Sequence, residues 1–244
     1  MKPKVSIIIP CYNSEKWIHQ SLMSALAQTW ENTEVIFVDN ESTDNSVEIA
    51  NRIYRENTHL KIARAENVFP NCWDEAKEVG FEMMTGDYVL VMGSDDFLHT
   101  KYIENCMRII SFDHKKILAL QSPIRGVKGN SPNIVNEIKH EYKSIKEFKD
   151  QCLSRCPVNT PTVIYNRRLW DDGLLDTQPE KYGGAADYDL YCKLADNDVM
   201  IYPAPNWLGF FYRWHPEQAT WKVQKEAKNY DKMIQDYWRK KWET

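Results

Sequence analysis

The chain has 244 residues, 43% of them hydrophobic, and a formal net charge of -4 at pH 7. This length supports a sizeable core in one large domain or two small ones, and the mild negative charge gives no sign of the basic face that nucleic acid needs. The six cysteines do not include the two closely spaced pairs that are typical of a zinc site. No signal peptide or long apolar span is evident, so a cytoplasmic setting is expected.

The first half of the chain alternates short apolar runs with helical patterns. Residues 5–10 are rich in β-branched side chains and predict a strand that stops at Pro10, because proline cannot continue a central strand. The elements predicted after it are a helix at 18–28, a strand at 34–39, a helix at 47–56, a strand at 60–63, a helix within 69–84 and a strand at 88–91. Strand–helix–strand units of this spacing predict a parallel sheet with right-handed connections.

The carboxyl ends of the predicted strands carry polar residues. Residues 10–13, 39–40, 64–67 and 95–96 are therefore expected to converge on one crevice, where open α/β sheets bind their ligands. Asp95 and Asp96 repel each other unless a cation or strong donors lie nearby, and such oxygen ligands suit Mg²⁺ or Mn²⁺. The alternative is a helix N-terminus that the two aspartates cap. The pair by itself leaves both interpretations open.

The second half of the chain is less regular. The predicted elements are a helix at 98–112, a strand at 117–122, a loop at 123–132, a helix at 144–152, an extended segment at 157–165 and a short helix at 167–171. Asp187 begins a further helix, and an isolated aspartate in that position is usually a cap. Asp189, two residues on, is expected to serve structure.

Three common nucleotide-binding classes lack their motifs in this sequence. No Gly-x-Gly-x-x-Gly follows the first strand, and no Gly-Lys-Ser or Gly-Lys-Thr loop is present. A sugar nucleotidyltransferase would normally carry a glycine-rich loop with Arg and Lys after the first strand, and the chain has none. These absences argue against dinucleotide binding, nucleoside triphosphate hydrolysis and nucleotidyl transfer as functions of the chain.

Four segments of the chain resemble inverting glycosyltransferases of family 2, which have the GT-A fold. The segments are VSIIIPCYN at 5–13, SL at 21–22 through AQT at 27–29, VDNESTDNS at 38–46, and GDY at 86–88 through SDD at 94–96. The resemblance implies an α/β chain with the Rossmann-like GT-A fold of nucleotide-diphospho-sugar transferases. Its sheet would be mixed, mostly parallel and flanked by helices.

The resemblance also implies a set of site residues. They are Pro10, Tyr12, Asp39 and Asn40 for the nucleobase and ribose, Lys77 for the diphosphate, Asp95 for the ribose or the metal, Asp96 and His215 for the metal, and Asp187 as general base. For His215 a diphosphate contact or a packed position is the alternative. Asn67, at the crevice, completes the predicted substrate-binding set. Asn40, Gly93 and Ala186 replace acidic residues of the family pattern.

The predicted activity is metal-dependent, inverting transfer of a hexose-type sugar from a nucleotide-diphospho-sugar. A UDP-sugar is the leading donor, Mn²⁺ or Mg²⁺ the cofactor, and a glycan or lipid-linked molecule the acceptor, as in polysaccharide biosynthesis. Trp207, Trp214 and Trp221 are candidates for the acceptor pocket, with core positions the alternative. The departures from the family pattern favour a second hypothesis, a non-catalytic module that binds nucleotide sugars. No nucleic-acid partner is expected.

The sequence predicts one domain followed by a helix. Residues 1–221 form the GT-A domain, with a nucleotide-sugar-binding half at 1–110 and an acceptor half at 111–221. Residues 222–244 predict an amphipathic helix with Lys and Arg on its polar sides. Packing across the domain is its commoner outcome. The alternative is a peripheral contact with an anionic membrane, which would hold the protein at the inner face of that membrane.

Overall fold

The computed structural model describes residues 2–67, 72–218, 221 and 228–243, without the side chains of residues 72 and 73. Its strands are β1 (Val5–Cys11), β2 (Thr33–Asp39), β3 (Leu60–Arg64), β4 (Tyr88–Val91), β5 (Phe97–Leu98), β6 (Ala119–Gln121), β7 (Ile124–Lys128), β8 (Ile134–Ile138), β9 (Ile164–Asn166), β10 (Ile201–Pro203) and β11 (Phe210–Trp214). Its helices are α1 (Ile18–Leu26), α2 (Ser46–Tyr54), α3 (Cys72–Met83), α4 (Tyr102–Phe112), α5 (Ile145–Cys152), α6 (Arg168–Asp171), α7 (Pro179–Tyr182), α8 (Ala186–Asp196) and α9 (Tyr230–Trp242).

Seven strands form one mixed sheet in the order β10-β6-β9-β4-β1-β2-β3. The neighbours β3, β2, β1 and β4 run parallel, as the alternation of strands and helices predicts. β9 lies antiparallel between β4 and β6, and β10 is parallel to β6. The mixed, mostly parallel sheet expected from the sequence is therefore observed. Both predicted halves of the chain contribute strands to it.

The prediction that β1 stops at Pro10 was wrong, because the strand continues to Cys11. On one side, β4 pairs with β1 only as far as Ile8, whose carbonyl accepts a hydrogen bond from the Met92 N–H. On the other side, the Cys11 carbonyl accepts from the Asn40 N–H of the segment after β2. The backbone nitrogen of Pro10 therefore points to the side of β1 on which β4 has already ended. Its missing N–H removes no ladder hydrogen bond there.

Side chains of β1 alternate between two cores, one on each face of the main sheet. Ile7 and Ile9 pack with apolar residues of α1, α2 and α4. Ile8 packs with apolar residues of α3, α5 and α8. A strand covered by helices on both faces has apolar residues at consecutive positions, which explains why the run at 5–9 shows no polar alternation apart from Ser6.

A buried carboxylate stabilises the start of the parallel strands, away from the crevice. Glu34 accepts hydrogen bonds from Lys61 and Lys4 Nζ at 2.8 and 2.9 Å, from Ser6 Oγ at 2.7 Å and from the Thr85 N–H at 2.6 Å. Burial alone would raise its pKa, but these donors outweigh burial and hold the pKa of Glu34 at about 2. A carboxylate so fully bonded serves structure.

A second sheet, in the order β5-β11-β7-β8, consists of four strands that the sequence does not reveal. The loop predicted at 123–132 is wrong, because β7 occupies Ile124–Lys128. The loop prediction rests on the density of Gly, Pro, Asn and Ser between Pro123 and Pro132, to which Gly126 contributes. In the structure a Cβ at Gly126 would overlap the Asn136 side-chain oxygen and the Trp214 indole nitrogen, so the glycine makes room for side chains that cross the strand. The predicted helix at 98–112 likewise begins only at Tyr102, after the short β5.

The C-terminal helix α9 packs on α8. Ile234 and Trp238 are buried, and the Trp238 indole N–H donates to Asp189 Oδ1 at 2.7 Å. The Trp242 indole N–H donates to Asp196 Oδ1 at 2.9 Å. Asp189 therefore serves structure, as expected. The apolar side of the helix is used within the domain, which is the first of the two predicted outcomes.

Residues 222–227 and 244, which the sequence assigns to the C-terminal helix, lie outside the described residues. Across the described part of the chain, no helix has the length and apolar character needed to cross a bilayer. The membrane contact predicted for 222–244 stays a prediction.

Candidate active site

The loops after β1, β2 and β4 meet at one edge of the main sheet, as the sequence predicts. Ser14 Oγ, after β1, lies 2.7 Å from Ser94 Oγ, after β4. The Asn13 side-chain oxygen accepts a hydrogen bond from the Thr43 N–H of the loop after β2 at 2.7 Å. Asn13 has a φ of 49°, a left-handed conformation that asparagine tolerates better than most residues. These bonds hold the rim of the predicted crevice together.

The residues predicted to bind the nucleobase and ribose lie along this rim. Pro10 is half-buried, and Tyr12 is 46% exposed, so its ring is open to a stacking partner. Asp39 and Asn40 are buried at the end of β2. Asp39 Oδ1 accepts from the Ser42 N–H at 3.0 Å, which fixes the carboxylate at the start of the loop. A ring face and a fixed carboxylate are suitable groups for a nucleoside.

The backbone of Asn67 is held at the same crevice by a hydrogen bond to Glu41. Glu41 has a φ of 61°, a strained value for a residue other than glycine. Its carboxylate binds Arg64 Nη2 at 3.1 Å and accepts from the Asn67 N–H at 3.3 Å. The loop after β3 is thereby tied to the loop after β2. This places Asn67 beside the residues predicted to bind the nucleoside.

Asp95 and His215, two of the predicted metal ligands, face each other. Asp95 Oδ2 lies 2.9 Å from His215 Nε2, although the residues are 120 positions apart in the chain. The Asp95 side chain is 26% exposed and that of His215 is 8% exposed. Within the described residues, the buried His215 Nδ1 has no hydrogen-bond partner. The ring of Trp17 packs at 5.2 Å from the imidazole and limits its movement.

Asp96, the third predicted metal ligand, points into the protein. It is 2% exposed, and its Oδ1 accepts from the Arg213 N–H at 2.9 Å. Burial and the neighbouring charge of Asp95 raise the pKa of Asp96 well above its ordinary value. A Cβ at Gly93 would lie 2.6 Å from Asp95 Oδ1 and 3.1 Å from Asp96 Oδ2, so both carboxylates use the space that the family's first aspartate would need. In this orientation Asp96 is bonded within the protein, whereas Asp95 and His215 are the more exposed of the three predicted ligands.

The Asp95 and His215 pair fits a divalent cation that takes the rest of its coordination shell from a ligand. Among the described residues, no group of three or more His, Cys, Asp or Glu side chains could hold a metal ion. A carboxylate and an imidazole together suit Mn²⁺, whose remaining ligands would be diphosphate oxygens and water. Metal affinity at such a site would depend on the diphosphate.

Arg213 holds the loop that carries Asp95, and sequence reasoning gave it no role. The side chain is buried, and its Nε donates to the Asp95 carbonyl at 2.6 Å. Nη2 donates to Gln20 Oε1 at 2.7 Å, and Nη1 donates to the Gly129 carbonyl. The guanidinium lies between two rings, at 4.6 Å from Trp17 and 5.0 Å from Phe97. The signal in the sequence is its place in a Tyr-Arg-x-His pattern at 212–215, which resembles a loop of the family.

Asp187, the predicted general base, is in the first turn of α8. Its Oδ2 accepts from Thr160 Oγ1 at 2.6 Å and its Oδ1 from the Tyr188 N–H at 2.8 Å. Burial raises the pKa of Asp187, and these two hydrogen bonds only partly oppose that effect. A half-buried carboxylate with a raised pKa and a fixed orientation suits proton abstraction. Thr160 is a second residue that sequence reasoning did not identify.

Lys77, predicted to contact the diphosphate, is already paired. Its Nζ lies 2.5 Å from Asp74 Oδ1 and donates to Thr177 Oγ1 at 3.1 Å. Thr177 in turn donates to Asp74 at 2.7 Å. The positive charge of Lys77 lowers the pKa of Asp187, and the negative charge of Asp74 raises it. The structure therefore places Lys77 in a polar cluster that influences Asp187, and the neighbouring Asp74 carboxylate reduces the charge that Lys77 could offer to a phosphate.

Comparison with known proteins identifies the same family that the motifs resemble. A family model described as Glycosyl transferase family 2 matches residues 6–174. The chondroitin synthase of Pasteurella multocida is 29% identical over 194 residues, which are 80% of this chain and 19% of that protein. The poly(ribitol-phosphate) beta-N-acetylglucosaminyltransferase TarS of Staphylococcus aureus is 32% identical over 175 residues, 69% of this chain and 28% of that protein. A glycosyltransferase of Haemophilus influenzae is 31% identical over 138 residues, 56% of this chain and 54% of that protein. The chain thus spans 19% to 54% of the lengths of these relatives.

Solved structures share the fold. The crystal structure of S. aureus TarS 1–349 in complex with UDP-GlcNAc has a TM-score of 0.70 and 21% identity, covering 92% of this chain and 62% of that chain. The mannosyltransferase PcManGT from Pyrobaculum calidifontis, in complex with GDP-Man and Mn²⁺, has a TM-score of 0.62 and 16% identity, covering 97% of this chain and 69% of that chain. These likenesses confirm the GT-A fold. Because the family model covers more than half of the sequence, the chain belongs to glycosyl transferase family 2.

Proposed function

We propose that the chain transfers a hexose-type sugar, with inversion, from a nucleotide-diphospho-sugar to an acceptor hydroxyl. The observation that carries the proposal is the coexistence of two unlike acidic groups. Asp95 pairs with His215 at the end of β4, whereas Asp187 is half-buried at the start of α8 and has a raised pKa. Displacement of a diphosphate needs stabilisation of the leaving group on one face and removal of a proton on the other.

In this proposal the donor is a UDP-sugar. Tyr12 stacks on the base, Asp39 and Asn40 bind the base and ribose, and Pro10 and Asn67 line the same crevice. The fixed Asp39 carboxylate and the exposed Tyr12 ring support this assignment. The solved structure of S. aureus TarS 1–349 in complex with UDP-GlcNAc has the same fold. The structure of PcManGT, which shares this fold, is a complex with GDP-Man.

Mn²⁺, with Mg²⁺ as the alternative, is the proposed cofactor, and Asp95 and His215 are its proposed protein ligands. When bound, the cation would offset the negative charge that develops on the leaving diphosphate. Asp96 orients the loop by accepting from the Arg213 N–H. Arg213 holds the Asp95 backbone in place from the other side.

Asp187 would take the proton from the acceptor hydroxyl as that oxygen attacks the anomeric carbon. Thr160 and the Tyr188 N–H fix the two carboxylate oxygens and leave their remaining lone pairs for the acceptor. The Lys77 and Asp74 pair keeps the surroundings polar without removing the charge of the base. The proposed acceptor is a glycan or a lipid-linked glycan, as in polysaccharide biosynthesis.

The proposal predicts that Mn²⁺ increases the affinity for UDP by about tenfold or more. Calorimetric titration of UDP with and without Mn²⁺ measures this effect. Asp95→Ala should abolish the gain, because it removes one of the two ligands. Asp96→Asn is the matched control, since its amide oxygen can still accept from the Arg213 N–H, and the gain should survive. Loss of the metal effect in Asp96→Asn but not in Asp95→Ala would contradict the assignment.

The second candidate function is a module that binds nucleotide sugars without turning them over. It is favoured by the replacement of acidic residues of the family pattern by Asn40, Gly93 and Ala186. This module would show the same effect of Mn²⁺ on UDP affinity but would release no sugar. Turnover of the donor separates the two functions.

A further inference from the structure

A cavity of about 680 Å³ opens beside His215, and apart from His215 none of its lining residues is among the proposed donor-binding or catalytic residues. Its walls come from the start of α1, the β7–β8 hairpin and the residues that follow β11. The residues that matter most to its chemistry are Lys16, Trp17, Lys128, Val135, Trp214 and Trp221. The volume is within the range of cavities that bind small molecules and is large enough for a sugar unit.

Two tryptophans give this cavity an aromatic wall. The ring centroids of Trp214 and Trp221 are 5.9 Å apart, and Trp221 is 36% exposed. The Trp221 indole N–H donates to the His215 carbonyl at 2.9 Å, and that of Trp214 donates to Asn136 Oδ1 at 3.2 Å. Since both N–H groups are already used, the rings offer the cavity only their apolar surfaces. The C–H face of a pyranose stacks well on such a surface.

The charged residues of the cavity are mostly cationic. Lys16 is paired with Glu217 at 2.7 Å, and that pair is exposed at the rim. The Lys128 ammonium group has no ion-pair or hydrogen-bond partner within the described part of the chain. Glu217 is the acidic residue among the lining residues described, and Lys16 already neutralises it. An aromatic wall beside a lysine that has no partner among the described residues favours a ring that carries a negative charge.

We propose that this cavity is a glycan-binding subsite that holds a pyranose unit with an anionic substituent. The ring would stack on Trp221 and Trp214, and Lys128 would bind the anionic group. Because His215 belongs to both the cavity and the donor site, the bound unit would lie next to the donor. The identification of this glycan as the acceptor rests on the proposed function, whereas the binding itself does not.

The test is calorimetric titration of the protein, without donor or metal, with hexagalacturonate and with the neutral maltohexaose. Hexagalacturonate should bind, and maltohexaose should bind at least about tenfold more weakly. Trp221→Ala should weaken hexagalacturonate binding by about tenfold through the loss of stacking. Trp221→Phe keeps a ring and loses only the hydrogen bond to His215, so it should retain most of the affinity. Lys128→Gln should reduce the preference for the acidic oligomer.

Tyr54→Ala is the matched control, because Tyr54 is 51% exposed on α2 and does not line the cavity. Its affinity should equal that of the wild type. The proposal is overturned if hexagalacturonate does not bind, if Trp221→Ala binds it as tightly as the wild type, or if maltohexaose binds equally well. Release of sugar from the donor is measured separately. Failure of that reaction with intact glycan binding counts against the proposed function, and the reverse result counts against the subsite alone.

Discussion

Asp187→Asn is expected to reduce sugar transfer or donor hydrolysis by about 10² to 10⁴-fold, the usual contribution of a general base. The amide can still accept hydrogen bonds, but it cannot take a proton from the acceptor. UDP affinity should stay within about threefold of the wild type, because Asp187 is proposed to contact the acceptor and not the nucleotide. Turnover is measured as the release of UDP, and affinity by calorimetry on the same preparation.

Asp189→Asn is the control for this prediction. Asp189 lies on the same helix two residues on, and its Oδ1 accepts from the Trp238 indole N–H, a bond that the amide oxygen can also make. Turnover by Asp189→Asn should remain close to that of the wild type. If Asp187→Asn kept at least a third of the wild-type turnover, the assignment of the base would fail.

The pH dependence follows from the same carboxylate. Burial raises the pKa of Asp187 above its ordinary value of 3.8. The base works only when ionised, so turnover should fall as the pH drops through that raised pKa, at a higher pH than for an ordinary aspartate. The ionised form also costs stability in the folded protein, and this cost grows as the pH rises through the same range. Asp187→Asn should therefore leave the melting temperature at neutral pH unchanged or higher.

Arg213→Met is expected to lower the free energy of unfolding by about 3 kcal/mol, or the melting temperature by roughly 6 to 12 °C. The substitution leaves the carbonyls of Asp95 and Gly129 and the Gln20 side chain without a buried donor. It also removes the cation between the rings of Trp17 and Phe97. UDP binding in the presence of Mn²⁺ should weaken as well, since the Asp95 loop loses its support.

Arg125→Met is the matched control for Arg213→Met. Arg125 also lies over an aromatic ring, 4.2 Å from Trp207, and pairs with Glu137 at 2.8 Å, but its side chain is 35% exposed. Such a partly solvated pair contributes about 1 kcal/mol or less. Thermal unfolding of both variants measures the contrast. Equal melting temperatures for Arg213→Met and the wild type would show that the buried guanidinium does not hold the loop.

The sequence predicts the parallel core well because its signals are local. The apolar run at 5–9 has β-branched residues facing both cores, so it identifies a buried strand without any knowledge of its neighbours. The positions of Asp95 and Asp187 follow from motifs at fixed places relative to a strand end and a helix start. Both are found where those motifs put them.

The remaining features depend on contacts that no local pattern contains. Gly126 indicates a loop until the side chains of Asn136 and Trp214 are seen crossing the strand. The bonds of Lys77 to Asp74 and Thr177 likewise cannot be predicted from the motif that suggests a contact with the diphosphate. The inward orientation of Asp96 depends on the Arg213 N–H, 117 residues away in the chain. Partners so distant in sequence are defined only by the fold.

The anomeric configuration of the first product tests the central claim most directly. The wild-type protein is incubated with an α-linked UDP-hexose and Mn²⁺, and the sugar released to water is followed by ¹H NMR before mutarotation. The account predicts the β anomer from the wild type and from Asp189→Asn, and almost no product from Asp187→Asn. The α anomer as the first product, or no release of sugar by a wild-type protein that binds UDP, would contradict it.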